Sequence, residues 1–428
     1  MWRFKTLPAV PFRSGLLASR LRVRCLAALC LLPLLAACGG GAGSEVARPR
    51  HLLLVTLDTV RADHLGAYGY AAAETPNLDH LAQAGLRFDQ AMSPVPLTLP
   101  SHASLLTGRL PLEHGVRHNG ARPLAAGTET LATRLTTCGF DTAAFVGAFV
   151  LDHRFGLNRG FGHYDDDIAR DPGRDLRLEA ERPASEVVDR ALAWLAREEA
   201  APARPQFLWL HLYDAHAPYT PPAPFAERHP DQPYDGEIAA VDAQLGRLLA
   251  AVRQRLGADV LVAVVADHGE SLGDHGESTH GLLLYQPVLR VPLLLAGPGL
   301  PAGRTVATPV GLTDLAPTLA GLLGCAGEVP LGTGRDLSGY LRAGDEPPGA
   351  DLYAETQYPT LFGWSPLTAL RRGAFKYIAG PRPELYDLNQ DRGEEHDLLH
   401  REPATARPLA ARLEEMQASA PGLVPGRR

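Results

Sequence analysis

Cysteine is scarce in this 428-residue chain, with five in all and none in the paired spacing that builds a zinc cluster. Cys25, Cys30 and Cys38 fall in the first 38 residues, so the body of the protein keeps only Cys138 and Cys325. Two thiols in an exported protein can pair or stand as two buried thiols, and composition leaves both open. There is no internal repeat, no long low-complexity segment and no apolar run of membrane-spanning length. Positive charge is also short. The first 37 residues hold six of the 41 Lys and Arg and no acid, leaving 35 basic against 48 acidic residues, a formal charge of −13. That balance argues against nucleic acid as a substrate. What is present, 45% hydrophobic and 21% charged residues, excludes disorder as the default and suffices for one large domain plus a smaller one.

The N-terminus reads as a targeting segment. Arg13, Arg20, Arg22 and Arg24 precede an apolar run from Cys25 to Ala37, too short for a mature spanning helix. Leu35-Ala36-Ala37-Cys38 followed by Gly39-Gly40-Gly41 resembles a bacterial lipobox. The expectation is a lipoprotein signal peptide over 1–37, Cys38 as the lipidated residue, and a flexible Gly/Ala/Ser tether over 38–49. The protein would then sit in the bacterial cell envelope, periplasmic or surface-facing, on a membrane lipid anchor.

Three apolar runs end in an aspartate: 52–57 at Asp58, 207–213 at Asp214 and 260–266 at Asp267. Runs without polar alternation read as strands buried on both faces of a mostly parallel sheet. Helical spacing appears between them over 75–85, 130–139, 183–199 and 236–256. The alternation predicts an α/β fold over 50–345, a central sheet flanked by helices, with ligands beyond the carboxyl ends of the strands. The three aspartates should therefore converge. From 346 to 428, Pro/Gly-rich pieces, strands near 370–378 and 384–388 and a helix over about 405–418 predict a small α+β subdomain.

Asp267-His268 at a strand end is a metal-ligand pair, a hard oxygen beside an imidazole, suited to Zn²⁺ or Mn²⁺, with Ca²⁺ or Mg²⁺ as further candidates. The later copy, Asp274-His275-Gly276-Glu277, reads as a loop. Asp58, Thr98, Asp267 and His268 together would make a four-ligand site in which a metal lowers the hydroxyl pKa of Thr98. Leu99-Pro100-Ser101 is a good helix start, which places Thr98 where free N–H groups favour an anion. Asp214, His216 and His280 form a second cluster, either for a second metal or with the histidines as proton donors and anion binders. His211, on an apolar strand, reads as a core histidine.

Thr98-Leu99-Pro100-Ser101-His102, with Leu106-Thr107-Gly108, resembles the active-site signature of the sulfatase family of the alkaline phosphatase superfamily. Leu57-Asp58-Thr59-Val60-Arg61-Ala62-Asp63, Thr75-Pro76-Asn77-Leu78-Asp79, Gly115-Val116 with Asn119, Arg290-Val291-Pro292-Leu293, Asp314 to Leu319, Lys376-Tyr377-Ile378 and Glu384 to Leu388 continue the likeness. The resemblance implies a metal-dependent ester hydrolase acting on an anionic ester. The departures cluster at chemistry. Thr98 replaces the Cys or Ser that becomes formylglycine, so no formylglycine is expected. His102 replaces an Arg, and a catalytic role is expected for it as for Thr98 and His216. Thr59 replaces a second aspartate, His268 an asparagine, and Gly147-Ala148-Phe149-Val150 a Gly-Lys-Trp-His motif. The Asp-His pair and a threonine nucleophile resemble the superfamily's phosphodiesterases and phosphonate hydrolases. The frame thus favours a sulfuric ester and the ligand set a phosphoric or phosphonic one; an envelope phospho-group transferase and a non-catalytic binding lipoprotein stay open beside them. The lipobox is testable on its own: Cys38→Ser should shift the protein from the membrane to the soluble fraction of a bacterial host and abolish fatty-acid labelling, and retention in the membrane would overturn the assignment.

Overall fold

The last residues of two neighbouring strands set the architecture. In the computed structural model, which describes residues 48–168, 180–197 and 202–419, β1 (His51–Leu57) is flanked by two parallel partners buried nearly throughout. The proposed signal segment, Cys38 and most of the tether lie outside the described residues. The main sheet holds eight strands: β1, β2 (Leu86–Phe88), β3 (Asp141–Val146), β4 (His163–Asp165), β5 (Gln206–Leu212), β6 (Val260–Ala266), β7 (Leu293–Ala296) and β8 (Arg304–Val306). Their order is β8-β2-β7-β6-β1-β5-β3-β4. β7 alone runs antiparallel to its neighbours, β2 and β6, and the other pairs are parallel. A strand covered on both faces gains from apolar residues at every position, which is why β1, β5 and β6 lack alternation.

Helices α1 (Pro76–Ala84), α2 (Thr98–Thr107), α3 (Leu131–Thr137), α4 (Ala184–Leu195) and α5 (Pro233–Leu256) supply the covering layers, with α1 against β7, α3 against β3, and α4 against β3, β5 and α5. The mostly parallel α/β sheet expected from the sequence is therefore present. α2 is buried at all ten positions and packs on α6 (Leu315–Leu322). Cys138 and Cys325 are both free thiols, and burial together with the adjacent Cys138 pushes the Cys325 thiol up to about 12.

The C-terminal part is an antiparallel sheet, β9 (Asp351–Thr356), β10 (Leu367–Arg372), β11 (Phe375–Ala379) and β12 (Glu384–Asp387), with α7 (Pro403–Ala418) packed on β10 and β11. The sequence reading had one strand near 370–378. That stretch is a hairpin, because Gly373 takes a left-handed turn (φ +59°) and sends the chain back. A buried ion pair, Lys376 Nζ to Glu394 Oε1 at 2.7 Å, ties this sheet to the segment after β6, since Glu394 Oε2 also accepts the Gln286 N–H at 2.5 Å. Burial pulls the Lys376 pKa down and Glu394 opposes that pull without cancelling it. Lys376→Met should cost about 3–5 kcal/mol, because it leaves a buried carboxylate unpaired, and Lys376→Met with Glu394→Leu should recover at least half of that. Denaturant melts of the three proteins check this.

Candidate active site

β1 and β6 pair in register to their last residues, Leu57 opposite Ala266, so Asp58 and Asp267 leave the sheet side by side. Main-chain bonds hold both exits: Asp58 N–H donates to Leu212 O at 2.9 Å and Asp267 N–H to Leu57 O at 3.3 Å. Thr59 follows in a left-handed conformation (φ +56°), which a β-branched residue adopts only under constraint. The constraint is visible. Its hydroxyl lies 2.7 Å from Ala215 O, and its carbonyl accepts the buried Tyr234 hydroxyl at 2.7 Å. Thr59 is thus a brace rather than a ligand. Arg61 braces the other side, donating to the Glu270 and Ser271 carbonyls and pairing with Asp63 and Asp274.

Thr98 opens α2, and its hydroxyl sits 3.3 Å from Asp58 Oδ2, to which it donates, and 3.4 Å from His268 Nε2. His268 Nε2 is in turn 3.5 Å from Asp267 Oδ2 and 3.9 Å from Asp58 Oδ1. Asp58, Asp267 and His268 are fully buried and Thr98 nearly so. The four expected ligands therefore come together.

Electrostatics define what this pocket wants. Burial would raise the Asp58 carboxyl, but the hydrogen bond from His211 and the surrounding imidazoles hold it well below the usual range. Asp267 is pushed well up, first by burial and then by the Asp58 charge, with the His268 and Thr59 amides only partly offsetting. Two dry carboxylates this close cannot both remain charged without a positive partner. Asp58 Oδ1 and Asp267 Oδ2 are buried without a hydrogen-bond partner among the described residues, and they belong to the group whose ligand atoms all lie within 4.8 Å of one another. His268 donates Nδ1–H to Gly269 O at 3.0 Å and burial lowers its pKa to about 3, so the ring is neutral with Nε2 carrying the lone pair. Two carboxylates, one imidazole nitrogen and a hydroxyl fit a divalent cation.

Several expectations change here. Asp214 does not join the cluster. Leu57 is level with Leu212, so Tyr213 occupies the level of Asp58 and Asp214 lies one residue farther on, where its Oδ2 accepts the Ala184 N–H at the start of α4. It is a helix cap, and the second-metal reading loses its carboxylate. His102 is fully buried, with Nδ1–H on Thr98 O at 2.8 Å and Nε2 accepting from Thr56 Oγ1 at 2.9 Å, which accepts Trp209 Nε1–H. With both nitrogens occupied and burial lowering its pKa to about 3, it holds the Thr98 backbone and has no nitrogen left for a substrate. The free amides expected at the start of α2 are mostly taken: Leu99 N–H goes to Asn119 Oδ1, Ser101 N–H to Leu97 O, and Pro100 has none. The helix dipole remains.

His211 is the residue the sequence reading placed in the core. Its Nε2 donates to Asp58 Oδ2 at 3.1 Å, beneath the site. Its register, level with Thr56 two residues before Asp58, puts it on the same face of the sheet as that aspartate. His216 and His280 line the more open side, 5.1 Å apart ring to ring, with His280 4.5 Å from His268. His216 donates Nδ1–H to Ala217 O and burial lowers its pKa, so its Nε2 is an acceptor. Burial works against a charged His280, but Glu270 Oε1, 3.2 Å from Nδ1, outweighs it and raises the pKa. Glu270 also accepts from Tyr219 Oη at 3.0 Å.

With this geometry in place, comparison with known proteins is decisive. The sulfatase family model matches residues 50–325. The chain belongs to the sulfatase family. It is 30% identical to human arylsulfatase A over a 433-residue alignment covering 84% of this chain and 85% of that protein. Its fold matches the phosphonate monoester hydrolase of Agrobacterium radiobacter (TM-score 0.71, 24% identity, 87% of this chain and 96% of that one). It also matches BT4656, solved with D-glucosamine-2-N,6-O-disulfate (TM-score 0.72, 19% identity, 87% and 98%). This family member is thus an ester hydrolase of the superfamily, whose sulfatases are metal-dependent. If His211 orients Asp58 as a ligand, His211→Phe should weaken Zn²⁺ or Mn²⁺ binding about 10–100-fold in calorimetric titration, while unchanged affinity would reduce it to packing.

Proposed function

We propose that this protein hydrolyses a sulfuric, phosphoric or phosphonic ester with unmodified Thr98 as nucleophile. The observation that carries the reading is the Thr98 hydroxyl donating to Asp58 Oδ2 at 3.3 Å, with the His268 Nε2 lone pair 3.4 Å from the same oxygen, at the start of a buried helix. Asp58, Thr98, Asp267 and His268 would hold a divalent cation, Zn²⁺ or Mn²⁺ by donor type, which when bound lowers the hydroxyl pKa and offsets charge on the ester.

The chain's own residues then supply the rest. Asp58 Oδ2 aims the Thr98 oxygen by accepting its proton, and His211 and His102 fix Asp58 and the Thr98 main chain. Thr98 Oγ1 forms a bond to sulfur or phosphorus as the bond to the alcohol oxygen breaks. His280, held on Glu270, donates a proton to that leaving oxygen. Water then attacks sulfur or phosphorus, its proton passing to His216 Nε2, and the bond to Thr98 breaks as Asp58 Oδ2 returns the proton to Oγ1; the His216 proton passes back to the adjacent His280 for the next cycle. The Asp-His pair and the unmodified threonine support phosphorus; family membership supports sulfur. The lipobox supports a lipid-anchored place in the bacterial envelope.

A panel of aryl sulfate, phosphate mono- and diester and phosphonate ester, assayed after metal removal and readdition of Zn²⁺, Mn²⁺ or Ca²⁺, tests this reading. Chelation should abolish turnover. Thr98→Ala should lower kcat by at least about a thousandfold, as loss of a nucleophile does in other hydrolases, and Thr98→Ser should retain activity. Near-normal turnover by Thr98→Ala, or by the chelated protein, overturns it.

A further inference from the structure

A cavity of about 630 Å³ opens at the seam between the α/β part and the C-terminal sheet, and three guanidiniums in its wall have no carboxylate partner among the described residues. They come from three segments: Arg290 from the chain after β6, Arg371 from β10 and Arg392 from the loop after β12. The acids that share the lining are mostly engaged elsewhere. Asp63 and Asp274 both pair with Arg61, and Asp89 pairs with Arg87, while Glu395 stands exposed.

Arg371 is only 2% exposed, yet its Nε donates to a main-chain carbonyl, Gly373 O at 3.0 Å, and its Nη2 to the neutral side chain of Gln90. Arg290 lies over the Tyr68 ring, 5.8 Å from its centroid, and spends its Nε on Asp89 O at 3.0 Å. Its two terminal nitrogens have no hydrogen-bond partner among the described residues. Burial draws both guanidiniums down, Arg371 to about 10, and the arginines add to that pull, Arg290 acting on Arg371 and Arg392 on Arg290. Glu394, already paired with Lys376, opposes it only in part at Arg371, as do Asp63 and Asp89 at Arg290. Guanidiniums that keep their charge while buried near one another are costly unless an anion joins them. A fourth donor has the same want. Gln286, 9% exposed, lines the cavity with its main-chain N–H fixed on Glu394 Oε2, and its Nε2 is buried without a hydrogen-bond partner among the described residues.

We propose that this cavity is a second ligand site, which binds a phosphate or sulfate group through Arg290, Arg371, Arg392 and Gln286. It is separate from the site at Thr98, since neither the four metal-side residues nor His216 and His280 line it. Binding here does not require that the protein be a hydrolase. A carboxylate offers two oxygens in one plane, whereas a tetrahedral oxyanion offers three or four in different directions, which donors arriving from separate segments can share. The volume is in the range of small-molecule sites and far exceeds what one such anion fills, so the group arrives on a larger body. Asp63, Asp89 and Asp274 keep lone pairs beyond their arginine contacts, and these suit hydroxyl groups on that body. The ligand class is a phosphorylated or sulfated sugar or polyol.

Calorimetric titration of the full-length, Zn²⁺-loaded protein with glucose 6-phosphate, glucose 6-sulfate, inorganic phosphate and glucose tests this. Each titration is repeated in Asp58→Asn/His268→Ala, which dismantles the Thr98 site. At least one sugar ester should bind in both proteins and glucose in neither. Arg290→Gln/Arg392→Ser should weaken that binding at least about tenfold, as loss of charge-assisted hydrogen bonds does, with any turnover of the ester panel within about twofold of wild type. Arg392 is exposed, so Arg392→Ser carries the test alone if the double variant does not fold. It should weaken binding about threefold or more, and Arg392→Lys should restore most of the loss. Inorganic phosphate binding as tightly as the sugar esters leaves the anion site and removes the polyol; weaker binding supports both. Binding lost in Asp58→Asn/His268→Ala, binding untouched by the arginine substitutions, binding of glucose equal to that of its esters, or no binding of any of the three anions would overturn the site.

Discussion

Two fully buried carboxylates, with no lysine or arginine paired to either among the described residues, are the constraint on which the site depends. Asp58 and Asp267 are forced together because β1 and β6 run parallel and end level, so the same apolar packing that makes the sheet stable delivers two negative groups to one dry point. Such a pair is tolerable only if something positive is shared between them. The neutral His268 and the Thr98 hydroxyl complete a donor set without adding positive charge. The site is therefore incomplete as a set of protein atoms, and its own electrostatics call for a divalent cation.

Around that point the chain spends conformational freedom on rigidity. Thr59 is held in a backbone well that β-branched residues avoid, and Tyr234 from α5 and the Ala215 carbonyl hold it there. Arg61 binds the turn after β6 to the turn after β1 through main-chain carbonyls, so both metal-side segments share one clamp. The second Asp-His-Gly-Glu copy finds its use in the same clamp, Asp274 pairing with Arg61. The C-terminal sheet closes the arrangement from outside, with Lys376 and Glu394 locking it to the Gln286 segment.

Legibility in the sequence followed the strength of local pattern. β1, β5 and β6 were readable because a strand buried on both faces has no polar alternation, and α1, α4, α5 and α7 because caps and spacing agree. Short strands such as Leu86–Phe88 and Arg304–Val306 carry too few residues to show a period, and the β10–β11 hairpin hid behind a single glycine. At the site, Asp58, Thr98, Asp267 and His268 were legible because each abuts an element end. Asp214 misled because an aspartate after a strand looks the same whether it faces a crevice or caps a neighbouring helix, here the one that precedes the strand; one residue of register decided it. His211 and Glu270 were obscured for the opposite reason, since a histidine inside an apolar run and a glutamate in a loop have no local signature of the contact they make.

His102 carries a consequence beyond holding Thr98 in place. This chain has a neutral ring at His102, wired through Thr56 to Trp209, so no fixed positive charge stands there behind Thr98. A divalent cation offsets two carboxylates and leaves little to meet a doubly charged substrate. Sulfate monoesters, phosphonate monoesters and phosphodiesters all carry a single negative charge near neutrality, whereas a phosphate monoester carries close to two. Under the hydrolase reading proposed above, the monoanions are the esters that this tally of charge favours, and the neutral His102 ring is what sets it.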